Sequence, residues 1–152
     1  MRAVVQRVER ARVLVDGRVS GEIGPGLAVL IAVGRGDVSE TAVAMAAKIV
    51  NLRIFNDDLG PMKKMNKSLL DTQGAMLAVS QFTLYGDVRG QRRPSFLQAA
   101  PPERGRALYH EFVEAVKALG VRVETGVFQA HMSFELVNDG PVTILLDSDK
   151  QF

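Results

Sequence analysis

Hydrolytic chemistry usually needs a base, a metal or an activated nucleophile, and this sequence of 152 residues offers few candidates, with two histidines and no cysteine. The lack of cysteine removes disulfides, thiolate nucleophiles and zinc-thiolate sites together. His110 falls off the apolar stripe Leu108, Phe112, Ala115 and Leu119, which places it on a helix surface. His131 shares parity with Gln129, Ser133 and Glu135 and lies opposite Phe128, Met132 and Phe134, which places it on the polar side of a strand. Neither histidine has another at metal-ligand spacing, so no metal and no cofactor are expected.

The remaining chemistry-bearing residues fall in two short segments. Ser80-Gln81-Phe82-Thr83-Leu84 closes the apolar run 75–79 and puts two hydroxyls and an amide where a buried strand emerges. Ser80 and Thr83 either cap a strand end or act as nucleophiles, and the second role needs a base that the sequence does not assign. Without a base, such a segment can still stabilise a tetrahedral oxyanion through main-chain N–H groups or the Gln81 amide. One well-placed donor contributes about 10²- to 10³-fold. Asn138-Asp139-Gly140-Pro141-Val142-Thr143 places a Gly-Pro bond between the strand-like runs 127–137 and 142–146, predicting a turn there. Only about 5–6% of X-Pro bonds are cis, so the sequence by itself favours trans at Gly140-Pro141.

The elements that must position these segments are legible from periodicity. Asp16-Gly17 separates two β-prone runs and predicts a hairpin. Gly24-Pro25-Gly26 reverses the chain into residues 27–33, a continuously apolar run suited to a strand buried on both faces. Asp37, with Glu40 three residues on, predicts a capped helix carrying Val38, Ala42, Met45 and Ile49 on one stripe. Residues 52–55 read as a short strand, 56–66 as a polar loop, 75–84 as a core strand and 86–94 as a second loop. A second helix runs from Pro101-Pro102 to about Leu119, with Gly120 as its cap. Strands at 121–124, 127–137 and 142–146 complete the chain. The pattern predicts an α+β fold in a single domain: a mixed or largely antiparallel sheet curled toward a barrel, with two main helices.

Composition sets outer limits. A hydrophobic fraction of 47% with 24% charged residues is that of a globular protein. No apolar stretch approaches the ~20 residues that span a bilayer, and residues 1–7 lack a secretory h-region, so a soluble cytoplasmic protein is the expectation. The net charge of +2 is small, but basic residues are grouped at Arg2, Arg7, Arg10 and Arg12, at Lys63, Lys64 and Lys67, and at Arg89, Arg92 and Arg93. These are either solvated faces or phosphate contacts.

Taken together with Met1-Arg2-Ala3-Val4-Val5-Gln6-Arg7-Val8 and Arg93-Pro94-Ser95-Phe96, the two segments resemble the paired signature of the D-aminoacyl-tRNA deacylases over nearly the whole chain. The resemblance implies a metal-free ester hydrolase that removes D-amino acids from the 3′ end of tRNA. It assigns Ser80, Gln81 and Thr83 to catalysis, with Phe82 shaping the pocket and the substrate's own 2′-OH handling protons. Whether Thr83 attacks or only positions the ester or water stays open. Gly140-Pro141 matches a Gly-cis-Pro element whose two carbonyls capture the α-amino group and whose backbone excludes L side chains. Arg7, Asn138 and Thr143 match residues that hold that element. The resemblance further implies a homodimer in which each Gly-Pro enters the partner's site, and activity toward glycyl esters, which a clash cannot reject. The sequence departs from the family's pattern in a longer loop at 60–66 and in Gln129, where glycine is expected. Alternatives are a related deacylase with a trans Gly-Pro that clears L-alanine from the wrong tRNA, a nucleic-acid-binding protein without catalysis, and a ligand-binding domain without turnover.

Overall fold

Alternating burial along residues 2–15 makes one long strand the spine of the sheet. A computed structural model describes residues 1–57 and 64–152. Its elements are β1 (Arg2–Val15), β2 (Arg18–Ile23), β3 (Gly26–Ala32), α1 (Ser39–Val50), β4 (Phe55–Asn56), β5 (Met65–Lys67), α2 (Leu69–Thr72), β6 (Ala75–Ser80), α3 (Pro102–Ala118), β7 (Val123–Thr125) and β8 (Ser133–Asp147). A 3-10 turn, Phe82–Tyr85, follows β6.

One edge of β1 pairs antiparallel with β3 and then β2, and the other edge with β8 along most of its length. β6 joins β3 and β7 joins β6 in parallel, giving the order β2-β1-β3-β6-β7 with β8 flanking β1. The sheet curls until its ends meet, where the Ser20 hydroxyl donates to the Thr125 carbonyl at 3.3 Å. The expected barrel-like mixed sheet is therefore what the chain forms. β3 and β6 approach so closely at their start that a Cβ on Gly26 would fall 1.9 Å from the Ala75 carbonyl oxygen, which restricts that position to glycine.

The two faces of β3 enter different cores, as a continuously apolar run requires. Leu27, Val29 and Ile31 pack with Ile49 of α1 and Phe112 of α3, while Ala28 joins Val8, Val13, Leu77 and Val79 inside the curl. Each large apolar side chain so buried contributes about 1.5–3 kcal/mol. α3 ends at Gly120, whose φ of +89° suits the expected cap.

Several boundaries differ from the sequence expectation, each for a local reason. Asp37 does not cap α1 with Glu40. Its carboxylate turns inward and accepts from the Met1 ammonium at 2.5 Å and from the Gly34 N–H at 2.6 Å, while Thr41 Oγ1 accepts from the Val38 N–H. A buried ammonium competes for a carboxylate better than a helix end does. Of residues 52–55 only Phe55 is in a strand, and the expected loop at 56–66 contributes Asn56 to β4 and Met65 and Asn66 to β5, with residues 58–63 outside the described part. The short α2 was not expected. It is built on Ser68 and Asp71, which bond each other's backbone N–H groups.

The strand expected at 75–84 stops at Ser80. The Gln81 N–H makes the last bond, to the Ile31 carbonyl, and the chain then winds into the 3-10 turn through Leu84 N–H to Gln81 O and Gly86 N–H to Thr83 O. Residues 127–132 are not strand either: Gln129 has φ of +65° and the Ala130 N–H bonds back to Val127 O, which breaks the alternation. The turn expected at Gly140-Pro141 is absent. β8 runs through it as one strand, and Asp139, Gly140, Pro141 and Val142 bulge opposite Arg7 alone, between the pairs Gln6 with Thr143 and Val8 with Asn138. The Gly140-Pro141 bond is cis, as the resemblance implies and against the general trans preference of X-Pro bonds.

Candidate active site

β6 delivers Ser80 to the floor of a cleft of about 670 Å³, where Gln81 and Phe82 continue the wall. Phe82 is 56% exposed and meets Phe96 edge-to-face, with ring centroids 5.0 Å apart. Across the opening stand Phe128 and Met132. Phe82 is exposed, whereas Phe96 is half-buried and Phe128 packs in part against the core; an exposed aromatic face such as that of Phe82 is suited to stacking a flat ligand.

The side-chain amide of Gln81 donates to Thr83 Oγ1, so the two polar residues of the turn hold each other. Phe82 and Thr83 are the first residues of the turn, where main-chain N–H groups have no partner within the helix. The turn is pinned from behind by Arg2. Its Nη1 donates to the Leu84 carbonyl at 3.1 Å, its Nε to Asp147 at 3.0 Å, and its guanidinium lies 4.5 Å from the Tyr85 ring centroid. The floor is fixed by Tyr109 of α3, whose hydroxyl donates to the Ala78 carbonyl at 2.9 Å. Burial pushes that phenol up, so it stays a neutral donor. Among the described residues, no carboxylate, lysine or arginine lines the cleft. His131 is the one ionisable side chain that does, exposed at the rim on the loop before β8, so the polar strand face expected for it is replaced by a place at the mouth. His110 is exposed, as expected.

The second group of expected residues assembles elsewhere. Arg7 is buried, with Nε 2.8 Å from Asp139 Oδ2 but not aligned as a hydrogen bond, and Nη1 donating to the Ile54 carbonyl at 2.6 Å. Asn138 ties the bulge shut by donating to Arg7 O at 2.9 Å and Val142 O at 3.0 Å. Thr143 Oγ1 accepts from Gln6. Gly140 and Pro141 stand exposed at the crest. None of these five residues lines the cleft, and neither does Thr83. Ser80 is level with Ile31 and Ala3 across the sheet, so Arg7 is offset by four residues, roughly 13 Å along the strand.

Sequence reasoning missed Arg2 and Tyr109 as supports and the aromatic wall at Phe128. A signal was present for part of the wall: Phe82 and Phe96 sit outside every periodic apolar stripe, whereas Phe128 falls in the apolar parity of a strand that does not form. Among the described residues, no group of three or more His, Asp or Glu side chains is arranged to hold a metal ion, and no helix is long and apolar enough to cross a membrane.

The fold and cleft define an α+β protein with a nearly closed mixed sheet and an aromatic, uncharged site at the end of a parallel strand. Residues 4–147 match the family model of the D-Tyr-tRNA(Tyr) deacylases. Proteins named D-aminoacyl-tRNA deacylase from Symbiobacterium thermophilum and Koribacter versatilis are 59% and 60% identical over 152 residues, covering all of this chain and 99% and 100% of theirs. A solved structure described as c-Myc DNA Unwinding Element Binding Protein is 41% identical with a TM-score of 0.90, covering 97% of this chain and 99% of that one. This chain is an enzyme of the D-aminoacyl-tRNA deacylase family.

Proposed function

We propose that the protein hydrolyses the ester joining a D-amino acid to the 3′ end of tRNA, releasing the free amino acid and tRNA in the cytoplasm. The observation that carries this reading is a cleft floored by Ser80, Gln81 and Phe82 and free of carboxylate or amine side chains among the described residues. Such a site suits an ester already activated toward attack. In this account the terminal adenine stacks on the aromatic wall, and the Gln81 amide with the neighbouring main-chain N–H groups receives the oxyanion. Thr83 orients Gln81, and the ribose 2′-OH of the substrate activates water.

Handedness is read by Gly140 and Pro141 of a second copy, which enter the cleft as a backbone wall that leaves no room for an L side chain. Within one chain that wall and the cleft belong to different regions of the sheet, and a homodimer joins them. Arg7, Asn138 and Thr143 hold the wall in shape. Glycyl esters, which have no side chain to exclude, are hydrolysed as well, with glycine mischarged on the alanine tRNA among them.

The test is incubation of the purified protein with D-tyrosyl-, L-tyrosyl- and glycyl-tRNA, with and without chelator. Release of D-tyrosine and glycine, but not L-tyrosine, and indifference to the chelator are expected. Tight tRNA binding with no release from any of the three would replace this reading by a nucleic-acid-binding one, which the name of the 41% identical structure suggests.

A further inference from the structure

No carboxylate, lysine or arginine lines the cleft among the described residues, yet exposed arginines adjoin its lining residues on three separate elements. Arg106 of α3 holds its guanidinium 5.0 Å from the centroid of Phe128, a cleft wall, with Nη2 3.4 Å from Gln129 Oε1. Arg35 follows Gly34, which bridges to the cleft-lining Ala99, and its N–H bonds to Gln98 O. Arg92 and Arg93 lie in the loop whose base is closed by the Asp87 and Ser95 bridge, immediately before Phe96 of the wall. Arg89 in that loop is consumed by Asp87, through bonds of 2.9 and 2.7 Å, whereas Arg35, Arg92 and Arg93 make no ion pair among the described residues. Glu103, in the first turn of α3, is the nearest carboxylate in sequence on the Arg106 side.

A neutral pocket ringed by cations fits a ligand whose buried end is a flat, uncharged group and whose remainder is a polyanion. Phosphates outside the mouth would meet guanidinium groups, and the base within would meet aromatic, apolar and polar surface with no carboxylate, lysine or arginine among the described residues. We propose that Arg35, Arg92, Arg93 and Arg106 form the phosphate-gripping rim of the site, holding the backbone of the RNA strand that leads to the terminal nucleotide. This rests on the substrate reading above and names which cations serve it. Arg89 is left out because Asp87 already holds its guanidinium, and Arg106 has a second task in covering Phe128.

The experiment compares D-tyrosyl-tRNA with the D-tyrosyl ester of adenosine, which carries no phosphate, for wild type, R92Q/R93Q, R106Q and R106K across a salt series. For R92Q/R93Q, kcat/KM on tRNA is expected to fall roughly tenfold at low salt. The log-log salt slope should flatten by about 0.7 to 0.9 for each phosphate that the variant no longer grips. R106K retains the slope and R106Q does not, and on adenosine ester R92Q/R93Q matches wild type. An unchanged slope on tRNA, or equal losses on both substrates with unchanged melting temperature, overturns the rim. If wild type hydrolyses neither substrate, the catalytic reading fails instead, and the salt slope of binding to uncharged tRNA still decides the rim.

Discussion

Arg7 and Asp139 face each other at 2.8 Å across the point where β8 bulges away from β1, and they differ sharply in exposure: 6% for the arginine side chain and 46% for the aspartate. The arginine is thus a buried strut and the aspartate a partner that can turn to water. A Cβ on Gly140 would fall 3.0 Å from Arg7 Nη2, so the strut lies directly beneath the crest.

Replacing Arg7 by glutamine is expected to loosen the crest without unfolding the chain. Because Asp139 can rehydrate, the cost should be about 1–3 kcal/mol and not the larger penalty of a stranded buried charge. The ratio of D-tyrosyl- to L-tyrosyl-tRNA hydrolysis should drop while urea unfolding shifts modestly. Retained discrimination with a large stability loss would make Arg7 structural only.

Gln129 occupies a left-handed conformation, φ +65°, that costs an L residue about 1–2 kcal/mol. Its side chain returns only a long contact with Arg106, 3.4 Å. Gln129→Gly relieves the strain and adds some unfolded-state freedom, so chemical denaturation should find a variant equal to or up to about 1 kcal/mol more stable than wild type. A clear destabilisation would mean that the Gln129 side chain stabilises the loop by more than its bond to Arg106.

Two buried tyrosines should respond oppositely to loss of their hydroxyls. Tyr109 donates to Ala78 O, which also accepts the Gly126 N–H at 3.3 Å, so Tyr109→Phe removes one of two bonds to that carbonyl and should cost about 0.5–1.5 kcal/mol. The Tyr85 hydroxyl is buried without a partner among the described residues, and burial together with nearby Asp37 and Asp147 raises its pKa. Tyr85→Phe should be neutral or slightly stabilising, and it keeps a ring under Arg2. Differential scanning calorimetry of the pair checks the contrast.

Arg89 lowers the Asp87 carboxyl from an ordinary 3.8 to about 2, first through its side-chain hydrogen bonds and then through its backbone N–H. Since the folded value lies below the ordinary one, the pairing is complete above the ordinary carboxylate range and disappears as pH falls through about 2. Carbon-detected titration of Asp87 should give that midpoint, and Arg89→Ala, which removes the side-chain bonds but keeps the backbone N–H bond, should raise it only part of the way toward 3.8. A midpoint that ignores Arg89 would contradict the pairing.

Much of this architecture was legible beforehand because burial writes itself into periodicity. The helix carrying the stripe Leu108, Phe112, Ala115 and Leu119 and the apolar run at 27–33 can be read as α3 and β3 without coordinates, although Leu119 proves exposed and Val116 is buried in its place. Where polar side chains decide the backbone, pattern reading failed. Asp37 served a buried ammonium and not a helix end, and Asn138 stitched a bulge where Gly140-Pro141 suggested a turn. Alternation carried the expected strand through 127–132, which Gln129 interrupts with a conformation its residue type does not advertise. The segment Ser80-Gln81-Phe82, singled out in the sequence, lines one cleft. Arg2 and Tyr109 were not singled out, because their hydrogen bonds bridge residues 82 and 31 positions apart.

The central claim is that each working site combines the Ser80 to Thr83 cleft of one copy with Gly140 and Pro141 of another, and mixing two disabled variants tests it directly. Gln81→Ala damages the cleft, and Gly140→Val, at φ +124°, damages the crest. Each alone should be deficient in discriminating hydrolysis of D-tyrosyl-tRNA. Co-refolded hybrids carry one site with both defects and one with neither, so selective hydrolysis should return to about half the wild-type level per hybrid dimer. No recovery in verified hybrids would place both elements in the same chain's site and contradict the account.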